Sequence, residues 1–232
     1  MKKILWLMPF ILLGCSGLKQ KKHLSAYSYP TLKQQSDLFE QGLLSHLIPV
    51  TGEVDVERDT VLLDKFSVVN LGREMPFQIL VNGDTLKIYE MQTENEVFGS
   101  RDTVTYANMI SEIKYYREYD LLLFGLYFYP CTGTGCGVNY QVIYHTTSRK
   151  SVVFGRFATG NELELYDYGA PFPYYLSKSF MGRNAQGIDT VDYELYPVDF
   201  SSEKKMLQPV EEIYARFIYE DTLKSMKASW FP

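Results

Sequence analysis

Cys131 and Cys136 bracket the short stretch Thr132-Gly133-Thr134-Gly135. Two thiols so placed can close a disulfide, bind a metal or run redox exchange. A structural zinc needs four ligands, and no histidine stands nearby to complete the set. Redox exchange favours Cys-x-x-Cys, which this is not. The economical reading is the tip of a hairpin closed by a disulfide, free thiols being the alternative. A bridge over so short a loop stabilises by roughly 2 kcal/mol, less any strain. The glycines serve tight turning, with an anion-binding nest as the rarer use.

Other chemistry-bearing residues are scattered. The histidines are His23, His46 and His145, and none has a second ligand at metal spacing. Glu162 and Glu164 share one strand face, as do Glu53, Asp55 and Glu57. General acid and base work needs carboxylates in different environments across a cleft. Neighbours on one face read instead as a solvated surface that discourages edge pairing. No Gly-x-Ser-x-Gly, Walker-type loop or His-Glu-x-x-His occurs. The residues therefore name no catalytic set, no metal site and no cofactor.

Tyrosine is the distinctive residue, with 19 copies against 14 Phe and 2 Trp. Tyr127, Tyr129, Tyr140 and Tyr144 flank the cysteine loop, and Tyr166, Tyr168, Tyr174 and Tyr175 form a second group. An apolar ring with a polar tip suits an interface, including stacking on sugars, and makes these eight the candidate binding surface. The competing reading is cross-strand packing inside a sheet protein.

The elements that must position these residues are mostly strands. Pro30 to Pro49 reads as one helix, with Leu32, Leu38, Phe39 and Leu43 on a stripe. From Glu53 the period becomes two, and Thr60 to Phe66 reads as the return strand. Phe77 to Val81, Asn82-Gly83 and Asp84 to Tyr89 form the clearest hairpin, since Asn-Gly suits a type I′ turn. Further strands are expected at Thr103–Tyr106, Ile110–Arg117, Leu121–Tyr129, Val138–Thr147, Ser151–Phe157, Glu162–Tyr168 and Thr190–Val198. Asp-Thr before Val or Leu recurs at Asp59, Asp84, Asp102, Asp189 and Asp221, each a turn leading into a strand. Phe172 to Tyr175 and Gly182 to Gly187 read as loop. Residues 210–229 fit a hairpin somewhat better than a helix. The expected fold is mainly β, an antiparallel sandwich or barrel after one N-terminal helix. A small irregular propeller is the alternative.

The start of the chain sets its address. Met1-Lys2-Lys3, the apolar run Ile4–Leu13 and Gly14-Cys15-Ser16 have the layout of a secretory signal. The run falls short of the roughly 20 residues a bilayer span needs. Leu12-Leu13-Gly14-Cys15 resembles the lipobox of bacterial lipoproteins. That resemblance implies cleavage before Cys15 and a diacylglycerol on its sulfur. It divides the chain into a signal peptide over 1–14, a flexible tether over 15–30 and a single mainly-β domain over 31–232. It also implies a cell-envelope protein on the outer membrane, facing the periplasm rather than the cell surface, because Ser16 follows the cysteine and no acidic run does. Such a compartment is oxidising, which supports the Cys131–Cys136 bridge. Each buried methylene contributes roughly 0.8 kcal/mol, so two or three chains on Cys15 hold the body at the membrane.

The formal charge is −5 at pH 7, and two units more negative once Lys2 and Lys3 leave with the leader. An acidic body excludes a nucleic-acid role built on phosphate neutralisation. A non-catalytic binding or assembly module at the envelope is the leading expectation, with a protein or glycan as partner. A periplasmic inhibitor of a hydrolase such as lysozyme comes second. A hydrolase with carboxylates drawn from distant strands comes third.

Overall fold

Leu121-Leu122-Leu123-Phe124 shows no polar alternation, and all four side chains are buried. A strand side chain points alternately to opposite faces, so a run like this needs cover on both. The computed structural model supplies it. Described are residues 42, 44–55, 60–70, 78–96, 99–104, 107, 109–128, 137–157, 163–183, 189–201, 207–209, 214–219 and 226–229.

Among the described residues the strands follow in chain order: β1 (Gly52–Asp55), β2 (Thr60–Leu63), β3 (Phe66–Asn70), β4 (Ile79–Val81), β5 (Asp84–Leu86), β6 (Met109–Tyr116), β7 (Leu121–Phe128), β8 (Val138–His145), β9 (Lys150–Phe157), β10 (Leu165–Tyr166), β11 (Tyr174–Arg183), β12 (Asp189–Pro197), β13 (Tyr214–Tyr219) and β14 (Met226–Ser229). They form three antiparallel sheets. The central one runs β1-β6-β7-β8-β9, a second runs β2-β3-β4-β5, and a third runs β10-β11-β12-β13-β14. The protein is mainly β, and its stacked antiparallel sheets make a sandwich with an additional layer.

The central sheet separates two cores. On one face Leu122, Phe124 and Val142 meet Phe66, Val68, Ile79 and Val81 of the four-stranded sheet. On the other, Leu121, Leu123, Ile143 and Phe154 meet Leu165, Tyr175 and Tyr196 of the third sheet. Full burial of each such side chain stabilises by roughly 1.5–3 kcal/mol, so β7 contributes to both cores at once.

The Asn-Gly hairpin forms as expected: β4 and β5 join through Asn82 at φ 50° and Gly83 at φ 88°. Strands β6, β7, β8, β9 and β12 fall on expected segments, and β13 and β14 give the C-terminal stretch its strands. Of the Asp-Thr copies, those at Asp84 and Asp189 open β5 and β12, and Thr60 opens β2. Thr103 forms only an isolated bridge with Gln92. Asp221-Thr222 lies outside the described residues.

Other expectations need correction. Thr60 to Phe66 is not one strand returning on the segment before it. Asp64, at φ 54°, turns the chain there, so β2 pairs with β3. β1 pairs instead with the distant β6, Gly52 opposite Tyr115. Tyr174 and Tyr175, expected in a loop, begin the ten-residue β11. Glu162–Tyr168 shrinks to the two-residue β10. Of the N-terminal helix, Gly42 and Leu44 are helical, and most of the rest lies outside the described residues. Cys15, Tyr129, Cys131 and Cys136 lie outside them as well, with the whole leader and tether. Among the described residues no helix is long and apolar enough to cross a membrane.

Candidate functional site

The strand period decides the fate of the tyrosines. Tyr140 and Tyr144 share a face with Val142, and that face is core: they are 0% and 3% exposed. Tyr166 and Tyr175 are buried at 6% and 0%. Three of their hydroxyls end on partners inside the protein. Tyr140 donates to Asp102 Oδ2 at 2.8 Å, Tyr166 to Glu164 Oε2 at 3.3 Å and Tyr175 to Gln141 Oε1. Burial, reinforced by the Glu164 carboxylate, pushes the Tyr166 phenol far up. These four tyrosines leave the expected contact face; they pack in the cores, and the Tyr175–Gln141 bond links the third sheet to the central one. Tyr127 is half-buried at the end of β7.

Tyr168 and Tyr174 behave differently. Both are half-buried, and their rings meet edge to face at 5.5 Å. His46 stacks on Tyr168 at 4.3 Å, and Phe172 lies 5.6 Å from Tyr174. His46 Nδ1 sits 3.0 Å from the Asp167 carbonyl, which can only accept, so Nδ1 carries the proton. The Asp167 N–H donates to the His46 carbonyl at 2.7 Å, completing the pairing. Burial pushes the Tyr168 phenol up to about 12. The result is an aromatic ledge flanked by exposed Leu44 and Leu47.

Phe172 also forms one wall of a groove of about 510 Å³ where the central and third sheets end together. That volume lies within the roughly 300–1,000 Å³ range of ligand pockets. Four chain turns build the groove. The β6–β7 turn supplies Glu118, Tyr119 and Asp120, and the β8–β9 turn supplies His145 and Ser148. The approach to β11 supplies Pro171-Phe172-Pro173, and the exit of β12 supplies Asp199 and Phe200. Buried Leu121 and Val198 close its floor.

Each turn is pinned. Asp120 sits in the left-handed region at φ 53°, which Asp tolerates better than most residues. Its carbonyl accepts the Thr146 N–H at 2.9 Å, and its Oδ2 accepts the Thr147 hydroxyl at 3.2 Å. Ser201 donates both its N–H and its hydroxyl to Asp199 Oδ1, at 2.9 and 2.6 Å. The Val198 N–H donates to the Pro173 carbonyl at 2.8 Å, tying the two third-sheet walls together. His145 and Phe200 stack at 5.4 Å across the groove.

His145 Nδ1 accepts the Ser148 N–H at 3.1 Å and lies 2.7 Å from the Ser148 hydroxyl. A serine beside an imidazole invites a nucleophile-and-base reading. The Nδ1 lone pair, however, is already committed to the backbone N–H of the same serine, so the contact closes a turn. Desolvation lowers the His145 pKa; Asp120 opposes this and Lys150 adds to it. Desolvation, then Asp167 and Glu118, raise that of Tyr119. Among the described residues no group of His, Cys, Asp and Glu is arranged to hold a metal.

A second recess of about 410 Å³ lies between the central and four-stranded sheets, with Tyr144 in its lining. Its charges compensate one another: Arg149 meets Asp84 at 3.2 Å, and Lys87 meets Glu90 at 3.5 Å. Among the described residues that line the groove, Glu118, Asp120 and Asp199 are the carboxylates.

Sequence reasoning placed Tyr168 and Tyr174 in a contact surface and missed Tyr119, Phe172, Phe200 and the three carboxylates. The one local signal was Pro171-Phe172-Pro173, an aromatic fixed between two prolines. No protein-family model, curated protein or solved structure matches this chain.

Proposed function

We propose that this protein is a lipid-anchored envelope protein that acts as a non-catalytic binding module, with the groove at the shared end of two sheets as its binding site. One observation carries the reading: aromatic side chains from four separate turns converge with three carboxylates on a single ligand-sized concavity. Aromatic walls with a few placed polar groups are the usual make-up of a recognition site. The pinned turns keep its walls rigid, which limits the ordering cost of binding. The His46–Tyr168–Tyr174 ledge adjoins this surface through Phe172. Lipid on Cys15 would hold this surface at the membrane without demanding a membrane-binding face of the body.

Two measurements test the proposal on the full-length protein made in a bacterial host. Mass spectrometry of the purified product should show a chain beginning at a diacylated Cys15. A panel of envelope glycans and basic, acidic and neutral peptides should contain at least one saturable ligand, weakened at least fivefold by Tyr119→Ala or Phe172→Ala. An unmodified Cys15 thiol overturns the anchor. Ligands indifferent to both groove substitutions overturn the site.

A further inference from the structure

We propose that the recess between the central and four-stranded sheets is a second binding site, one that takes a small zwitterion: an ammonium and an acid group a few bonds apart, as in a free α-amino acid. It stands apart from the groove and does not depend on it. A spare hydroxyl, the pattern of charge and the lining each point there.

The hydroxyl belongs to Tyr144. The residue is 3% exposed, and its ring packs in the same core as Leu122 and Val142. Tyr140, Tyr166 and Tyr175 bond their hydroxyls inside the protein. The Tyr144 hydroxyl makes no hydrogen bond among the described residues, and Tyr144 lines the recess. Phenylalanine would pack the same space, so the oxygen adds nothing to the fold. Ser151 stands opposite Tyr144 on β9 and lines the recess too. Its hydroxyl reaches the Met91 sulfur at 3.7 Å, and a thioether is a weak acceptor. Both hydroxyls are placed to donate to a group that enters.

The charges come in opposite pairs. Arg149 meets Asp84 at 3.2 Å, and Lys87 meets Glu90 at 3.5 Å, with all four side chains open to solvent. Burial raises the Tyr144 pKa, Asp84 raises it further and Arg149 lowers it, so the first pair stands beside the spare hydroxyl. A simple anion drawn to Arg149 meets Asp84 next to it. A simple cation drawn to Asp84 meets Arg149. A zwitterion answers both, with its acid group on Arg149 and its ammonium on Asp84. Arg149 commits Nη1 to Asp84, and the rest of its five-donor fork remains for a carboxylate. The Tyr144 and Ser151 hydroxyls add donors on the same side.

The recess holds about 410 Å³, within the roughly 300–1,000 Å³ range of ligand pockets. Leu86 and Met91 share its lining and suit an apolar side chain on the ligand, Met because its flexible thioether adapts to different shapes.

The experiment titrates L-leucine into the full-length protein in neutral detergent and follows binding by saturation-transfer NMR. Leucinamide lacks the acid group, and isocaproate lacks the ammonium. Glycerophosphoethanolamine carries both charges in a lipid headgroup. Leucine should bind saturably and more weakly as salt rises, and each single-charge analogue should bind at least fivefold more weakly. Tyr144→Phe should weaken leucine at least threefold yet unfold in urea no more easily than the parent. Arg149→Gln should weaken leucine at least tenfold. Phe172→Ala, in the groove, should leave leucine binding unchanged. Near-UV circular dichroism confirms that each variant keeps its packing.

Saturable binding of neither leucine nor glycerophosphoethanolamine overturns the inference. Single-charge analogues that bind as well as leucine, or indifference to both Tyr144→Phe and Arg149→Gln, overturn it equally. Glycerophosphoethanolamine that binds tighter than leucine, and is weakened by the same two substitutions, upholds the zwitterion site and assigns it to a lipid headgroup. Leucine binding lost with Phe172→Ala but kept with Arg149→Gln overturns this inference and leaves the groove reading standing.

Discussion

Tyr115 and Tyr116 are neighbours on β6, each 1% exposed, yet removing their hydroxyls should move stability in opposite directions. Consecutive strand residues face opposite sheets, so Tyr115 lies in the core shared with the four-stranded sheet and Tyr116 in the core shared with the third. The Tyr115 hydroxyl is buried with no hydrogen-bond partner among the described residues. A buried polar group left unpaired costs about 1–3 kcal/mol in lost hydration. Tyr115→Phe removes that cost and keeps the ring's edge-to-face contact with Phe66 at 5.0 Å. A small void where the oxygen sat offsets part of the gain, so stabilisation of about 1 kcal/mol is expected. The Tyr116 hydroxyl donates to the Leu163 carbonyl at 3.3 Å. Tyr116→Phe breaks that bond and strands a carbonyl whose residue is fully buried, so a loss of about 1 kcal/mol is expected. Urea unfolding of the two variants beside the parent, at one pH and with a common m value, reads both. At m of about 2 kcal/mol/M the midpoints should move by about 0.5 M in opposite senses. Movement in the same direction, or destabilisation by Tyr115→Phe beyond about 0.5 kcal/mol, refutes the pairing argument.

Three further tests follow from the packing. Leu122→Ala and Leu123→Ala should each cost about 2–5 kcal/mol but loosen different partners. Hydrogen exchange should quicken in β2–β5 for the first and in β10–β12 for the second, and identical patterns would dissolve the two-core description. Gly155→Ala places a Cβ 2.5 Å from Tyr140 Cδ1 and 3.0 Å from the Asn139 carbonyl, at φ 147°. Because the Tyr140 hydroxyl is tied to Asp102 the ring cannot swing aside, so a loss of about 2 kcal/mol or more is expected in the same urea assay. Burial raises the Glu94 pKa above its usual value, against the Leu207 N–H and Arg101, which lower it. Its favourable share is therefore fully present below the unfolded carboxyl value of about 4.3 and is lost as pH rises through the folded value. Glu94→Gln, which can keep accepting the Leu207 N–H, should be more stable than the parent at neutral pH and indistinguishable near pH 4. A less stable variant at neutral pH would show attraction to Arg101 outweighing burial.

How much was legible depended on how local the cause was. Asn82-Gly83 announced its hairpin because a type I′ turn is decided by the two residues that make it. The β-branched and aromatic runs of β6, β8 and β9 announced strands for a similar reason. The pairing of β1 with β6 was not legible, because Gly52 meets Tyr115 across a long separation that no turn residue encodes. β11 was hidden behind Pro171 and Pro173, which read as loop when no partner strand is in view.

The tyrosines show where a stricter reading would have succeeded. Tyr140, Val142 and Tyr144 share one strand face, and a face that alternates tyrosine with valine is core before it is a contact surface. Leu121-Leu122-Leu123-Phe124 carried the stronger message, since a strand apolar on both faces demands a sheet on each side. Two sheets on one central sheet bring the ends of their hairpins level with each other, and that stacking creates the groove. Glu118, His145, Phe172 and Asp199 each look like ordinary turn residues in isolation. Their charge and ring faces add up only once strand order has placed four turns around one space. The residues that line the groove are thus distributed by topology, and so is part of its stiffness: Asp199 secures its own turn through Ser201, while Asp120 ties the β6–β7 turn to the β8–β9 turn through Thr147. A groove built this way can exchange its lining residues without disturbing the sheets, so substitutions at Glu118 or Phe172 should separate binding from folding, whereas those at Leu121 or Val198 should not.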